Sequence, residues 1–314
     1  MGFGHGHGHG GGSVGGHAAG RAADRRRLRW VLGVTASVLV IEVVGALVTG
    51  SLALLADAAH MATDAGGVLL ALGASYLAAL PAGRRSTFGY HRAEVLAALL
   101  NAVVLFVVCG YLAWNGISRL TDPEDVEAGT MVLFAIAGLV ANGVSLTILR
   151  RSDTDSLNMR GAIYEVMADL LGSVTAIVAG VIIWATGWLQ ADSIASLLIA
   201  AMILPRAAIL ARDATVVLLE IAPAGLDLDD LDHHLRHVDG VVDVHDVHAW
   251  TITSGIATLS AHVTVTDKAL AERGVGRILD ELGACTAAHF DVRHCTFQIE
   301  PVSHSAHENL GELH

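Results

Sequence analysis

Two pairs of metal-binding side chains occur at helical spacing inside long apolar stretches of the sequence. His60 and Asp64 lie four positions apart in LLADAAHMATDAGG, and Glu165 and Asp169 lie four positions apart in GAIYEVMADLLGS. Residues i and i+4 of an α-helix share one face, one turn apart. Imidazole and carboxylate groups bind divalent cations, and four such ligands complete a tetrahedral site. The spacing therefore predicts one cation site shared by two helices.

Burying these groups in apolar surroundings is unfavourable unless something neutralises them. A carboxylate at membrane depth costs several kcal/mol without a partner or ligand, so such groups mark an ion pathway by default. Three acids and one His would repel one another, and either a metal ion or protons would remove that repulsion. A single buried His or Asp is, by contrast, more often a hydrogen bond between helices than a ligand.

Four further polar residues in the apolar stretches are not part of such a pair, and this simpler interpretation applies to them. Asp57 precedes His60 by three positions on the same helical face, where its carboxylate would orient the His60 ring. Glu42, Asn101 and Asn142 each stand alone on a different apolar segment. We expect structural or pathway-lining roles for all four.

The segments that carry these residues are long and apolar on every face. Of the 314 residues, 53% are hydrophobic and 16% are charged, whereas a soluble helical core would show amphipathic stripes. Six segments are near or above the ~20 residues that a helix needs to cross a bilayer. They are Leu28–Val48, Ser51–Leu80, Glu94–Ile117, Thr130–Leu149, Ala162–Thr186 and Asp192–Leu210. The sequence predicts an all-α six-helix transmembrane bundle over residues 28–212, with the lipid bilayer as a partner.

Arginine placement predicts how this bundle is oriented. Arginines precede the first span, lie between spans two and three and between spans four and five, and mark the end of the sixth at Arg206 and Arg212. The loops on the other side carry Arg119, an acidic stretch and little other positive charge. The positive-inside rule then places both termini in the cytosol and makes the protein a multi-pass component of the cytoplasmic, or inner, membrane.

Residues 213–303 predict a small cytosolic α+β domain of ferredoxin-like type, with the order αββαβ. Helical patterns in LDLDDLDHHLRHV and at about Lys268–Leu282 alternate with strand patterns in VVDVHDVHAWTIT, IATLSAHVTV and DVRHCTFQIEP. Strand alternation puts His262 and His294 on the polar face of the sheet and Cys295 on the inner face. The net charge of −12 comes largely from this part of the chain and argues against nucleic acid as a partner.

The two ends of the chain have low complexity. Residues 1–27 are rich in Gly and His and cannot form a core, so their composition predicts a disordered cytosolic tail. Residues 304–314 are predicted to form a second tail. His5, His7 and His9 offer weak capture of a divalent metal by neutral imidazoles. The alternative is a solubilising tail with no role in transport.

The sequence around these residues resembles the cation diffusion facilitator family. The resemblance lies in SLALLADAAHMATDAGG, TFGYHRAEVLAALLN and NMRGAIYEVMADLLGS of the spans and in VHDVHAW and HCTFQIEP of the last domain. It implies a homodimeric, six-span, proton-coupled exporter of Zn²⁺ and related metals, and not an enzyme. It also implies a transport site at the paired ligands of spans two and five, which here are His60, Asp64, Glu165 and Asp169.

One ligand departs from the pattern of that family. Many zinc-transporting members have His, and some Asp, at the position of Glu165. Glu makes the site richer in oxygen, which suits harder ions such as Mn²⁺ or Fe²⁺ better than an imidazole does. Zn²⁺ remains the expected substrate, with Mn²⁺, Fe²⁺, Co²⁺ and Cd²⁺ as alternatives. The loop PAGRRSTFGYH offers only His91, so we expect no metal site there.

The resemblance also implies regulatory metal binding and dimerisation by the cytosolic domain. The positions that match the family's ligands are His245 in VHDVH, His262 in LSAH and His294 in RHC. Histidines that merely lie at the surface are the alternative. His248, next to Asp246, and the inward-facing Cys295 are weaker candidates.

The predicted mechanism is alternating access in a dimer, in which metal and protons compete for the same four ligands. A passive metal channel would use the same ligands but would conduct without a proton gradient. An intramembrane metalloenzyme is disfavoured because the sequence has neither a His-Glu-x-x-His signature nor a Ser/Lys nucleophile pair. A metal-sensing receptor would explain the cytosolic histidines but not the paired ligands in the spans.

Overall fold

The computed structural model describes the backbone of residues 14–150, 157–253, 255–292 and 294–305, and side chains from Trp30 onward except those of 157–161 and Ser305. The predicted capture tail with His5, His7 and His9 lies outside these residues, as does most of the segment 304–314.

Six long helices occupy the predicted spans. They are α1 (Val14–Thr49), α2 (Leu52–Ala78), α3 (Ala93–Thr121), α4 (Ala128–Arg150), α5 (Leu157–Thr186) and α6 (Gln190–Leu218). Each has an apolar stretch long enough to cross a membrane. The prediction of six membrane helices is confirmed.

Several helix boundaries differ from the sequence-based expectation, and among the membrane helices the start of α1 and the end of α6 differ most. Helix α1 begins at Val14, so residues 14–27 are helical although we had placed them in a disordered tail. This segment is rich in Ala and Arg, which are among the best helix formers and outweigh its glycines. Helix α6 continues through Pro205 to Leu218, whereas we had ended the sixth span at Leu210. Arg206 therefore lies inside a helix and not at its end.

The chain divides into two compact units, of which the first contains residues 1–66 and 103–207. Its core consists mainly of alanines and aliphatic side chains from helices α1 to α6, including Leu54, Leu105 and Met131. Small side chains allow membrane helices to approach closely. The first unit thus packs as expected for a membrane bundle.

A buried acid fixes the start of helix α2 within this unit. Asp192, at the start of α6, accepts hydrogen bonds from the Ser51 hydroxyl at 2.6 Å and from the backbone N–H groups of Leu52 and Ala53 at 2.6 and 3.1 Å. The first N–H groups of a helix have no partner within the helix, so Asp192 acts as a cap supplied by another helix. This contact holds α2, which carries two of the predicted ligands, against α6.

The second unit contains residues 67–102 and 208–314 and includes a three-stranded sheet. Its elements after α6 are α7 (Leu228–Arg236), β1 (Val241–Thr253), β2 (Ile256–Val265), α8 (Asp267–Phe290), β3 (His294–Pro301) and the short α9 (Val302–Ser305). Strand β2 is central, antiparallel to β1 and parallel to β3. The predicted order αββαβ is confirmed, and α9 follows it.

Helices α7 and α8 cover one face of this sheet. Leu231 and Leu235 of α7 and Ile278 and Leu282 of α8 are fully buried against strand residues such as Leu259. Ala261 and Val263 belong to the same core, so His262 between them faces the opposite side of the sheet, as predicted. The domain is therefore a two-layer structure whose polar strand residues lie on the face away from the helices.

Candidate metal transport site

A cavity of about 360 Å³ lies among helices α2, α5 and α6 in the first unit. Its lining includes Asp57 and His60 of α2, Glu165 of α5 and Arg206 of α6, and the remaining wall is mostly apolar. An apolar wall with a few convergent polar groups is the usual form of a small-ligand site.

The two ligands on α2 share a face and lie beside each other. The Nε2 atom of His60 is 3.8 Å from Oδ2 of Asp64, and His60 is 7% exposed. Among the described residues, neither Nδ1 of His60 nor Oδ1 of Asp64 has a hydrogen-bond partner, although both atoms are buried. Buried polar atoms are normally paired, so unpaired ones at a cavity point to a ligand.

The two ligands on α5 differ in their exposure. Glu165 has a half-exposed side chain, whereas Asp169, one turn further along, is buried. Asp57, Asp64 and Glu165 all lie close enough to Asp169 to repel its negative charge. The prediction that α2 and α5 bring their acids together is thus consistent with the geometry.

A guanidinium group bridges the two helices. Arg206 donates from Nη1 to Oδ2 of Asp64 at 2.8 Å and from Nη2 to Oε1 of Glu165 at 3.4 Å. From the sequence, we expected Arg206 to mark the end of span six. We also assumed that only a metal or protons would offset the charge of the acids. That assumption is wrong, because helix α6 places Arg206 beside the ligands. The signal was in the sequence, since Arg206 falls within the predicted span Asp192–Leu210.

Arg206 contacts two of the four predicted ligands, Asp64 and Glu165. The four ligands do not form a closed coordination sphere. Within the part of the chain that the structure describes, no three of them have ligand atoms all within 4.8 Å of one another. Arg206 lies between Asp64 and Glu165, so an internal cation offsets part of the negative charge of the ligands on α2 and α5.

A second group of ligands lies on the sheet of the cytosolic domain. The Nδ1 atom of His262 is 3.0 Å from Oε1 of Glu300, and Nε2 of His245 is 3.8 Å from Oε2 of the same carboxylate. One ligand atom from each of the three residues lies within 4.8 Å of the others. Glu300 is 2% exposed, which favours a bound cation next to its charge.

We had expected His294 to lie with His245 and His262. The structure places it elsewhere on the sheet. The parallel pairing of β2 and β3 puts His294 opposite Thr258, four residues from His262, which is about 13 Å along a strand. The ring of His294 instead packs edge-on against Phe88 at 5.8 Å. Glu300 belongs to the same strand face as His294 but lies at the end of β3 near His262. The structure therefore brings Glu300 to His262, whereas His294 lies further along the same strand face.

The weaker candidates of this domain have different surroundings. Asp246 has a left-handed backbone with φ of 51° at an irregularity of β1, and its carboxylate lies 2.9 Å from Nε2 of His248 and 3.6 Å from Nε2 of His262. Asp246 is thus a further carboxylate beside the cytosolic site. Cys295 points inward, and burial raises the pKa of its thiol, which disfavours the thiolate that metals bind.

Comparison with known proteins covers both parts of the chain that carry these residues. Residues 28–219 match the cation efflux transmembrane domain, and residues 223–302 match the cytoplasmic domain of cation efflux proteins. The chain belongs to the cation efflux family. This is the family that the sequence resembles, and its members are transporters and not enzymes.

Three curated relatives of this cation efflux protein share most of its length. The metal cation efflux system protein CzcD of Cupriavidus metallidurans is 41% identical over 96% of this chain and 90% of its own. The zinc transporter ZitB of Escherichia coli is 40% identical over 88% of this chain and 87% of its own. The cadmium, cobalt and zinc/H(+)-K(+) antiporter of Bacillus velezensis is 37% identical over 86% of both chains.

Of the remaining polar residues predicted for the spans, three are buried in the first unit and one belongs to the second unit. Glu42 and Asp57 are almost completely buried, and none of their four carboxyl oxygens has a hydrogen-bond partner among the described residues. Asn142 is also fully buried, and its amide oxygen and nitrogen have no partner within the described part of the chain. Asn101 belongs to the second unit, where its amide packs against Gly67.

Gly172 of α5 lacks a side chain, and this leaves space for the carboxylate of Asp57. A Cβ atom at Gly172 would lie 2.2 Å from Oδ1 of Asp57, which is closer than any real contact. Glycine therefore leaves room for a carboxylate at the wall of the cavity. The sequence analysis did not single out this residue, because a helix–helix contact of this kind cannot be read from one helix alone.

Proposed function

We propose that this cation efflux protein exports a divalent metal, first of all Zn²⁺, across the cytoplasmic membrane in exchange for protons. The cation binds at His60, Asp64, Glu165 and Asp169. The observation that carries the proposal is the convergence of α2 and α5 on one cavity, where Arg206 contacts a ligand from each helix.

The donor set favours a borderline to hard divalent cation. One neutral imidazole and three carboxylates offer nitrogen and oxygen, which Zn²⁺ accepts in four-coordinate sites. The oxygen-rich composition also suits Mn²⁺, Fe²⁺, Co²⁺ and Cd²⁺. The names of the relatives refer to zinc, cadmium and cobalt, which supports zinc as the first substrate to test.

Proton exchange follows from the same ligands. Imidazole and carboxylate groups must lose their protons before they bind a metal, so metal and protons compete for one site. Cytosolic metal displaces protons in the inward-facing state, and protons from the other side displace the metal in the outward-facing state. The name antiporter in one relative agrees with such coupling. A passive channel with the same ligands is the alternative.

Arg206 takes part in this cycle as the occupant of the empty site. Its guanidinium lies between Asp64 and Glu165, where it offsets two of the three negative ligands. An incoming cation competes with this guanidinium for the charge of these carboxylates and is repelled by it, so Arg206 moves away as the metal binds. It returns when the metal leaves.

The cytosolic domain is proposed to regulate transport and to hold two chains together. His245, His262 and Glu300 form a second divalent-metal site, and the matching domain family carries the designation ZT_dimer. The arginine distribution supports an orientation in which both termini lie in the cytosol.

Transport in proteoliposomes tests the proposal. Wild-type protein is expected to move Zn²⁺ while protons move in the opposite direction, and Asp64→Ala is expected to abolish both. Asp125→Asn, an exposed acid in the α3–α4 loop, is the matched control and should transport normally. Coupled transport by Asp64→Ala would refute the site, and undiminished zinc flux without any proton gradient would favour the channel.

A further inference from the structure

Four histidines cluster on α7 and α8, outside both metal sites described above. His233 and His234 lie in α7, His237 directly follows it, and His289 lies in the last turn of α8. The ring centroids of His233 and His237 are 4.2 Å apart, and those of His234 and His289 are 4.9 Å apart. Two imidazole pairs therefore lie side by side on the helical layer.

The backbone orients three of these rings. The Nδ1 atoms of His234, His237 and His289 lie 2.9, 2.7 and 3.1 Å from carbonyl oxygens four residues earlier. A carbonyl only accepts a hydrogen bond, so Nδ1 carries the proton. In the neutral ring the lone pair is then on Nε2. Metal-binding histidines are oriented in the same way, by donating their second ring nitrogen to a carbonyl or carboxylate.

The ring spacing fits shared coordination of one ion. Two imidazoles bound to one Zn²⁺ through nitrogens at about 2 Å have ring centroids about 5 Å apart. The pair His234 and His289 is close to this value at 4.9 Å, whereas the ring centroids of His233 and His237 are nearer to each other, at 4.2 Å. For comparison, the rings of His245 and His262 in the cytosolic site are 5.4 Å apart.

The surroundings favour a cation that arrives from solvent. His233, His237 and His289 are exposed, and His234 is about one-third exposed and packed against the ring of Phe290. Helix α7 contains three Asp residues against one Arg, and Asp230 lies 3.3 Å from His234. Burial raises the pKa of the nearby Cys285 thiol, so imidazoles and not a thiolate are the available ligands.

This cluster and the site at His262 lie on opposite sides of the domain. Helices α7 and α8 pack on one face of the sheet through Leu231, Leu235 and Ile278, whereas His262 faces the other side. Substitutions in one group therefore leave the other group in place.

We propose that His233, His234, His237 and His289 form a surface binding site for Zn²⁺ and similar borderline divalent cations. Each histidine pair supplies two Nε2 ligands, and water completes the coordination. Such a site collects metal ions at the cytosolic domain and does not depend on the transport function proposed above.

Zinc binding by the full-length protein tests this site. The background carries Asp64→Ala, His245→Ala and His262→Ala, so that the other two described sites are disabled. His233→Gln combined with His289→Gln removes one ligand from each pair, and equilibrium dialysis then counts the zinc ions bound per chain. A loss of at least one ion per chain is expected. An unchanged count would overturn the proposal.

A matched control excludes a general effect of losing surface histidines. His91→Gln combined with His304→Gln, in the same background, is expected to leave the zinc count unchanged. An equal loss in this control would also overturn the proposal. Since Asp64 is already replaced in every protein compared, failure of the transport site and failure of the histidine cluster are seen in separate experiments.

Discussion

Replacing Arg206 with Gln removes the cation that lies between the ligands of α2 and α5. In the structure its guanidinium is 2.8 Å from Asp64 and 3.4 Å from Glu165. If these contacts must break before a metal binds, their removal should strengthen zinc binding. If Arg206 instead holds the ligands in place for the metal, its removal should weaken zinc binding. The sign of the change therefore separates the two roles.

The size of the effect follows from charge, distance and exposure. At an effective dielectric constant of ~20, unit charges at these separations attract by roughly 5–6 kcal/mol per pair before solvation is counted. The side chains of Arg206 and Glu165 are 49% and 50% exposed, whereas that of Asp64 is 16% exposed, so water screens much of this attraction. Net values for such partly exposed pairs are about 1–2 kcal/mol in total. Zinc affinity should therefore rise roughly 5- to 30-fold in Arg206→Gln.

Zinc titration of purified full-length protein measures this change. Arg206→Lys is the matched control, because it keeps the charge but loses the two-pronged geometry, and its affinity should fall between wild type and Arg206→Gln. In transport, tighter binding should lower KM and slow release, so that kcat falls as well. An unchanged or weaker affinity in Arg206→Gln would refute the account of Arg206 as the occupant of the empty site.

Two further substitutions test the remaining geometry. Gly172→Ala introduces a Cβ where the Asp57 carboxylate lies, and zinc transport should drop by roughly 5- to 150-fold, since such overpacking costs about 1–3 kcal/mol. Gly143→Ala, on an open helix face, should transport like wild type, and equal rates in the two variants would contradict the packing argument. Glu300→Gln should weaken zinc binding to the cytosolic domain by about 10-fold or more, whereas His294→Gln should have no effect. A larger loss of zinc affinity in His294→Gln than in Glu300→Gln would restore His294 as the ligand.

Local patterns in the sequence were sufficient for the helices and the paired ligands. Span length depends on a run of apolar residues, and the pairing of His60 with Asp64 depends only on the helical repeat, so both can be read from one segment. The αββαβ order follows in the same way from the change between helical and alternating patterns. These predictions needed no knowledge of which elements contact one another.

The missed features depend on contacts between distant segments. Arg206 reaches Asp64 only because α6 packs beside α2, and Glu300 reaches His262 only through the parallel register of β2 and β3. Alternation determines which face of a strand a residue occupies but not its position along the neighbouring strand, so His294 and Glu300 were equivalent in the sequence. Gly172 is a third example, because its role lies in a contact with α2.

Proton release on zinc binding tests the central claim most directly. Purified protein carrying His245→Ala and His262→Ala is mixed with Zn²⁺ in weak buffer, and a pH indicator reports the protons released per ion bound. The account predicts that this protein releases protons and that the further change Asp169→Asn reduces both zinc binding and proton release. Zinc binding with the same proton release after loss of Asp169 would contradict it.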